Sequence, residues 1–185
     1  MDPMSHCCLV CPNNKALVLD LDETLFHTTP TPPRNTAGYR TVYVMGSIYF
    51  VTERPFMHFF LYSVRAMGFR IFIFTAGQRA YATAIIQALC IDDYLSRRNV
   101  LCREDCSVTP NKRLYKDLTK IPHPASQVVH VDNDPCCFYS HPENGILVPS
   151  FRQDLEKTDK VLLNALPVLN ALRGVSDVRH ILRAI

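Results

Sequence analysis

Residues 15–25 read Lys-Ala-Leu-Val-Leu-Asp-Leu-Asp-Glu-Thr-Leu, an apolar run that ends in two carboxylates, Asp20 and Asp22. The run is too short for a helix, and it indicates a buried parallel strand over residues 15–21. Charges at the end of a buried strand are costly unless they are paired or bind a metal. Mg²⁺ is typically held by one or two carboxylates, waters and phosphate oxygens. The stretch therefore points to phosphoryl chemistry.

The length and composition are those of a globular protein. A chain of 185 residues suits one domain, so we expect a flexible N-terminal segment over residues 1–14 and a single domain over residues 15–185. The formal charge of +3 does not indicate nucleic-acid binding. No apolar run approaches the ~20 residues that cross a membrane, and no signal peptide is visible.

The chain has eight cysteines, which we interpret as reduced thiols because disulfides are rare in proteins without a secretory leader. Cys8 and Cys11 have the Cys-x-x-Cys spacing of half a zinc site, but no second pair follows at the usual distance. Acylation of Cys7 or Cys8 is a further alternative.

Strand and helix patterns alternate along the chain, which predicts an α/β sheet. A β-hairpin insertion is expected around Met45-Gly46-Ser47, after a proline-rich loop over residues 28–35. The other predicted strands are residues 69–74, 127–131 and 145–148, and the predicted helices are residues 55–67, 78–89, 159–172 (kinked or divided near Pro167) and 178–185. The buried face expected for the first helix is Phe56, Phe59, Phe60, Val64 and Met67.

Polar residues follow three of the predicted strands. Asp20 and Asp22 end the first, Thr75 the second, and Asp132 and Asn133 the third. The carboxyl ends of parallel strands form the ligand crevice of an α/β sheet, so these side chains should meet there. The basic residues between Asp92 and Ile121 are expected to form a solvated face.

In this order the segments resemble the four motifs of the haloacid dehalogenase superfamily of phosphatases. They are most similar to the branch with the RNA polymerase II C-terminal-domain (CTD) phosphatases, the Dullard-type phosphatases and the Tim50 import receptors. The resemblance spans roughly residues 15–185 and implies a Rossmann-like parallel sheet sandwiched by helices, without a large cap domain. The matching segments are Leu19-Asp20-Leu21-Asp22-Glu23-Thr24-Leu25, Phe74-Thr75-Ala76, Tyr115-Lys116-Asp117-Leu118, Val131-Asp132-Asn133-Asp134-Pro135, His141-Pro142-Glu143-Asn144 and Val148-Pro149-Ser150-Phe151.

The resemblance implies a role for each carboxylate of the first motif. Asp20 would be the nucleophile that forms an aspartyl-phosphate, and Asp22 would protonate the leaving group and later activate water. A carboxylate oxygen of Asp20, the backbone carbonyl of Asp22 and the side chain of Asn133 would bind Mg²⁺.

The resemblance also implies a phosphate site. Thr75 and the backbone N–H groups near Leu21 and Ala76 would bind phosphate oxygens. Lys116 would neutralise the transferring phosphoryl group, and Asp132 would orient Lys116.

Substrate recognition is where the chain departs from its relatives. Small CTD phosphatases grip a substrate proline with an aromatic residue just after the first motif, but this chain has Pro30 there, with Phe26 the nearest upstream aromatic residue. Tyr81 and Arg103 could line a peptide groove, although Tyr81 could equally be a core residue of its helix.

The leading hypothesis is a Mg²⁺-dependent protein serine/threonine phosphatase that acts on the RNA polymerase II C-terminal domain or another phosphoprotein. A small-metabolite phosphatase and a non-catalytic binding module of the same fold, like an import receptor, are the alternatives. The short segment between Asp92 and Ile121 favours an open, peptide-binding cleft over a capped one. We expect the nucleus or the cytoplasm as the compartment, and the residues give no indication of the oligomeric state.

Overall fold

The computed structural model describes residues 14–33, 38–152 and 158–184. The predicted flexible segment over residues 1–14 and its cysteines Cys7, Cys8 and Cys11 lie, apart from Asn14, outside the described residues. The strands are β1 (Ala16–Leu19), β2 (Phe26–Thr29), β3 (Arg40–Val44), β4 (Ser47–Glu53), β5 (Arg70–Phe74), β6 (Val100–Leu101), β7 (Ser107–Val108), β8 (Leu114–Tyr115), β9 (Val128–Asp132) and β10 (Gly145–Leu147). The α-helices are α1 (Met57–Ala66), α2 (Arg79–Ala88), α3 (Val161–Leu172) and α4 (Arg179–Leu182).

The predicted α/β sheet is confirmed as five parallel strands in the order β10-β9-β1-β5-β6. All four residues of β1 are buried, as expected for a central parallel strand. Leu17 in β1 lies opposite Ile71 in β5 and Val129 in β9. Because the three strands run in register and in the same direction, the residues that follow them share one edge of the sheet.

The two faces of the sheet are covered differently. Leu17 and Leu19 belong to the larger core, which includes buried residues of α1, α2 and α3. Ala16 and Val18 point to a smaller cluster that is closed by Leu118 and Ile121. The second face is therefore covered by a 3-10 segment rather than by a long helix.

The insertion after β1 has one more strand than predicted. The expected hairpin is confirmed as β3 and β4, joined at Met45 and Gly46, which both have positive φ as a tight hairpin turn requires. However, β2 pairs with β4 and completes a three-stranded antiparallel sheet. Thr28 and Thr29, predicted as loop, belong to β2; the prolines end the strand instead of excluding it.

The helices occur where they were predicted, but the buried face of α1 differs. Its buried residues are Met57, Phe60, Leu61 and Val64. Phe56 and Phe59 are 45% and 55% exposed. The buried residues have the i, i+3, i+4, i+7 spacing of an amphipathic helix, and the stripe begins one residue later than predicted, after Phe56 at φ 66°. Pro167 lies within a single α3 rather than dividing it.

The polar region between Asp92 and Ile121 folds into short 3-10 helices and the antiparallel pair β7–β8. The predicted solvated face is confirmed for Arg97, Arg98, Lys112 and Arg113, which are exposed. Lys116 is the exception, because it is only 2% exposed.

Arg54 is a buried cation that ties together three separate parts of the chain. Its guanidinium donates to both carboxylate oxygens of Asp159, at 3.0 and 2.8 Å. It also donates to the carbonyl oxygens of Thr24 and Pro149, at 3.0 and 2.9 Å, and lies 5.5 Å from the ring of Phe151. Arg54 thus fixes the loop after β1 and the loop after β10 against the segment that leads into α3.

We expect Arg54→Met to lower the free energy of unfolding by about 3–5 kcal/mol, because it leaves the buried Asp159 carboxylate and two carbonyl groups without their cation. The measurement is urea unfolding followed by circular dichroism.

Arg40→Met is the matched control. Arg40 pairs with Glu53 at 2.8 Å on the surface, and loss of an exposed pair costs about 1 kcal/mol or less. Equal losses in the two variants would contradict the structural role of Arg54.

Candidate functional site

The three predicted strand ends meet at one edge of the sheet. Asp20 follows β1, Thr75 follows β5 and Asp132 ends β9. The backbone N–H of Asp20 donates to the carbonyl of Val131 at 3.1 Å, which continues the β1–β9 pairing to the site itself. The expected crevice is therefore present, and strand pairing sets the spacing of its carboxylates.

Lys116 lies between two of these carboxylates. Its ammonium Nζ is 2.5 Å from Oδ1 of Asp20 and 2.6 Å from Oδ2 of Asp132. The backbone N–H of Lys116 donates to the carbonyl of Cys137 at 3.2 Å, which ties the segment after β8 to the 3-10 helix after β9. The structure thus brings together three residues that lie far apart in the sequence.

The pKa values follow from this arrangement. Burial raises the pKa of Asp20 to about 7, against the opposing effect of Lys116. Burial alone would lower the pKa of Lys116, but Asp20 and Asp132 raise it above its ordinary value. Burial alone would raise the pKa of Asp132, but the nearby Lys116 holds that pKa well below its usual range. Asp132 is therefore the permanent counter-ion of Lys116. A cation bound near Asp20 would favour the ionised form of Asp20.

Asp22 lies at the mouth of the crevice, where its carboxylate accepts a hydrogen bond from the hydroxyl of Tyr81 at 2.5 Å. Burial raises the pKa of Asp22, and the bond from Tyr81 opposes that shift. The ring of Tyr81 contacts that of Tyr49 edge-on, with centroids 5.3 Å apart, so the insertion sheet supports it. Tyr81 is thus part of the candidate site, directed at a carboxylate rather than only into the core.

Thr75 and Ala76 form the opposite wall. The hydroxyl oxygen of Thr75 accepts a hydrogen bond from the backbone N–H of Gly77 at 2.9 Å, which leaves its proton to donate. A Cβ at Gly77 would lie 2.9 Å from Tyr81, so only glycine allows this close approach. No described residue accepts from the backbone N–H groups of Leu21 or Ala76. These donors are suited to an anion.

Arg103 supports this wall from outside. Its guanidinium Nε donates to the carbonyl of Ala76 at 2.6 Å, and its backbone N–H donates to the carbonyl of Gly77 at 2.9 Å. The side chain is exposed, so it contacts the loop of Ala76 and Gly77 while facing solvent. Phe26 is fully buried in β2 and cannot take the place of an aromatic residue that grips a substrate.

The oxygen ligands in the crevice fit a hard cation. Asn133 donates from its amide to the hydroxyl of Ser150 at 3.0 Å, and its Oδ1 accepts from the hydroxyl of Thr24 at 3.1 Å. No described residue donates a hydrogen bond to Oδ2 of Asp20. Among residues 14–33, 38–152 and 158–184, no three His, Cys, Asp or Glu side chains form a metal cluster. A cation here would therefore need an amide or backbone oxygen besides Asp20, and Asn133 provides one.

Three residues near the site were not identified from the sequence. Thr24 and Ser150 hold the side chain of Asn133, and both lie within the segments that carried the resemblance. His130 is fully buried in β9, with Nε2 3.3 Å from Oδ2 of Asp132. Burial lowers the pKa of His130, which favours the neutral form of its ring. The only sequence feature that marks His130 is its position inside an apolar strand.

Relatives of the chain include proteins that are named as phosphatases. A "Probable C-terminal domain small phosphatase" of Dictyostelium discoideum is 37% identical over 170 residues, which are 91% of this chain and 54% of the relative. "CTD nuclear envelope phosphatase 1" of Xenopus laevis is 34% identical over 178 residues, or 91% of this chain and 71% of the relative. "Nuclear envelope morphology protein 1" of Schizosaccharomyces pombe is 35% identical, and the match covers 35% of its length. The chain thus spans about half or less of the length of two of these relatives.

The fold and the family agree with the resemblance seen in the sequence. A solved structure of the fission yeast RNA polymerase II CTD phosphatase Fcp1 matches with a TM-score of 0.59 at 22% identity, over 88% of this chain and 53% of that one, and so shares its fold. The family profile described as "NLI interacting factor-like phosphatase" matches residues 15–179. The chain belongs to the NLI interacting factor-like phosphatase family, the CTD phosphatase branch of the haloacid dehalogenase superfamily.

Proposed function

We propose that this protein is a Mg²⁺-dependent phosphoserine and phosphothreonine protein phosphatase that works through an aspartyl-phosphate. The observation that carries the proposal is the position of Asp20, which contacts Lys116 at 2.5 Å at the edge of the sheet. Asp22 and the free donors of Leu21 and Ala76 lie in the same loops. An anionic nucleophile beside a cation and anion-binding N–H groups is the arrangement that phosphoryl transfer needs.

In the first step, a carboxylate oxygen of Asp20 attacks phosphorus and the bond from phosphorus to the substrate oxygen breaks. Asp22 donates its proton to the departing oxygen, which leaves as the serine or threonine hydroxyl. Burial raises the pKa of Asp22, which is the direction that suits a group that must carry this proton. The product of the step is an aspartyl-phosphate and an ionised Asp22.

In the second step, Asp22 takes a proton from a water molecule as the water oxygen attacks phosphorus. The bond from phosphorus to Asp20 breaks, which releases phosphate and restores both carboxyl groups to their starting states. The hydroxyl of Tyr81, 2.5 Å from the Asp22 carboxylate, keeps that side chain in the crevice through both steps.

Membership of this family implies a divalent metal, and we infer that it is Mg²⁺. The carboxylate of Asp20, the backbone carbonyl of Asp22 and the Oδ1 of Asn133 would hold it. When bound, it supplies positive charge that lets an anionic phosphate approach an anionic nucleophile. Thr24 and Ser150 would keep the Asn133 oxygen directed at the site.

The remaining site residues would stabilise charge on the transferring group. The ammonium of Lys116, which Asp132 orients at 2.6 Å, would neutralise the negative charge on the transferring phosphoryl group. The Thr75 hydroxyl and the N–H groups of Leu21 and Ala76 would bind the other phosphate oxygens. Arg103 would hold the Ala76 loop in place through its 2.6 Å bond to the Ala76 carbonyl, and would meet the peptide from its exposed side.

The proposed substrate class rests on the names of the relatives. The relatives' names refer to C-terminal-domain phosphatases, which favours a phosphoprotein such as the RNA polymerase II C-terminal domain over a metabolite.

No helix among the described residues is long and apolar enough to cross a membrane. Two relatives are named for the nuclear envelope, which favours the nucleus among the two compartments considered.

Phosphate release from p-nitrophenyl phosphate and from phosphoserine, phosphothreonine and phosphotyrosine peptides tests the proposal. Turnover should require Mg²⁺, stop with EDTA, and fall to the level of buffer alone in Asp20→Asn, because the amide cannot form the phosphoenzyme. Asp93→Asn removes the same charge from an exposed site and should keep full activity. If the folded protein with Mg²⁺ turns over none of these substrates, a non-catalytic binding module becomes the better hypothesis.

Asp22→Asn tests the acid and base role separately. We expect a loss of about 10²–10⁴-fold in steady-state turnover, because no group activates water for the second step. The first step with p-nitrophenyl phosphate needs little acid help, since nitrophenolate leaves readily. Stopped-flow absorbance should therefore show a burst of about one nitrophenolate per site before the slow phase. A wild-type steady-state rate in this variant would make the assignment wrong.

A further inference from the structure

A cavity opens beside the loop that follows β5 and contains Ala76, and we call it the side cavity. Its volume is about 250 Å³. It lies between the loop after β5, the β7–β8 pair and the 3-10 helix after β9, at the same edge of the sheet as Asp20. Its walls are formed by Ala76, Cys106, Leu114, Tyr115, Lys116 and Cys137.

The side cavity adjoins the candidate catalytic site. Ala76 and Lys116 line it, and the same two residues belong to the proposed phosphate site. The ammonium of Lys116 also contacts Asp20 at 2.5 Å, so one residue borders both the cavity and the proposed nucleophile. A substrate whose phosphate lies at Asp20 would therefore place a neighbouring part of itself at the cavity mouth.

The size of the side cavity suits one side chain. Sites for whole small-molecule ligands are usually about 300–1,000 Å³, and this cavity is smaller. Ala76, Leu114, the ring of Tyr115 and the two cysteines make its walls mostly apolar, since a free cysteine behaves as a small hydrophobe. The charged residues that line it, Lys116, Arg113 and Asp134, already have ion-pair partners, so an apolar side chain is the favoured occupant.

The charges at the mouth of the side cavity are balanced. The Arg113 guanidinium donates to both carboxylate oxygens of Asp134, each at 3.1 Å. Because each charge is already paired, the rim has no net preference for an acidic or a basic residue. Selectivity at this site must then come from the apolar walls.

We propose that the side cavity is a specificity subsite that receives an apolar side chain of the substrate peptide, close to the phosphorylated residue. The proposal rests on the proposed phosphatase function and adds the class of sequence that the enzyme prefers. None of the residues that close the cavity, other than Ala76 and Lys116, takes part in the proposed chemistry. The subsite can therefore be altered while the catalytic groups stay intact.

The test measures kcat/KM for phosphoserine peptides that carry leucine or glycine at each of the two positions on either side of the phosphoserine. At one of these positions, leucine should raise kcat/KM about 10-fold or more, as expected for burial of its side chain. Leu114→Trp should fill the cavity and reduce that preference to less than about 2-fold. Turnover of p-nitrophenyl phosphate, which has no flanking residue, should stay within about 2-fold of the wild type.

Thr83→Trp is the matched control, because it adds the same ring on the exposed side of α2, next to a different cavity of about 210 Å³. It should leave the leucine preference unchanged. Leu114→Ala is the second variant in case Leu114→Trp does not fold, and it should shift the preference from leucine to phenylalanine. The proposal is overturned if no position discriminates in the wild type, or if both Leu114 variants retain the wild-type preference.

Failure of the phosphatase function can be told apart from failure of the subsite. If p-nitrophenyl phosphate is not hydrolysed, the proposed function fails. The subsite is then tested by calorimetric binding of the same leucine and glycine peptides to the full chain and to Leu114→Trp. Tighter binding of the leucine peptide that is lost in Leu114→Trp supports the subsite, and equal binding of both peptides overturns it.

Discussion

The site depends on one buried ammonium group. Asp20 follows β1 and Asp132 ends the adjacent parallel strand β9, so strand pairing alone brings two carboxylates together in a place with little water. Without Lys116 these charges would repel each other, and burial would make both costly. With Lys116 at 2.5 and 2.6 Å, Asp132 becomes a permanent counter-ion, while Asp20 keeps its Oδ2 without a hydrogen bond from any described residue.

A second buried cation supports the loops that hold the site. Arg54 donates to the carbonyl of Thr24, in the same loop as Asp22, and to that of Pro149, next to Ser150. Since Thr24 and Ser150 both hold Asn133, Arg54 indirectly sets the position of the oxygen that we assign to the metal. Buried charged side chains, as well as apolar packing, thus hold the residues with proposed chemical roles in place.

The differences between expectation and structure have a common origin. The strand β2 was missed because residues 28–35 contain three prolines, yet Thr28 and Thr29 pair with β4 before the prolines begin. The buried face of α1 was misassigned because its apolar residues fit two overlapping stripes, and the one with Met57, Phe60, Leu61 and Val64 is buried. In both cases the local pattern left a choice that packing with the rest of the chain decided.

The order of residues alone led to the parallel sheet and to the edge at which Asp20, Thr75 and Asp132 meet, because a short apolar run predicts a buried strand and parallel strands end at one edge. The choice of Lys116 came from the family resemblance, through the segment Tyr115-Lys116-Asp117-Leu118. The contacts of Tyr81 with Asp22, of Arg54 with Asp159 and of Thr24 with Asn133 join residues 59, 105 and 109 positions apart. No local pattern specifies such pairs, so they, like the walls of the side cavity, emerge only when the chain packs into its tertiary structure.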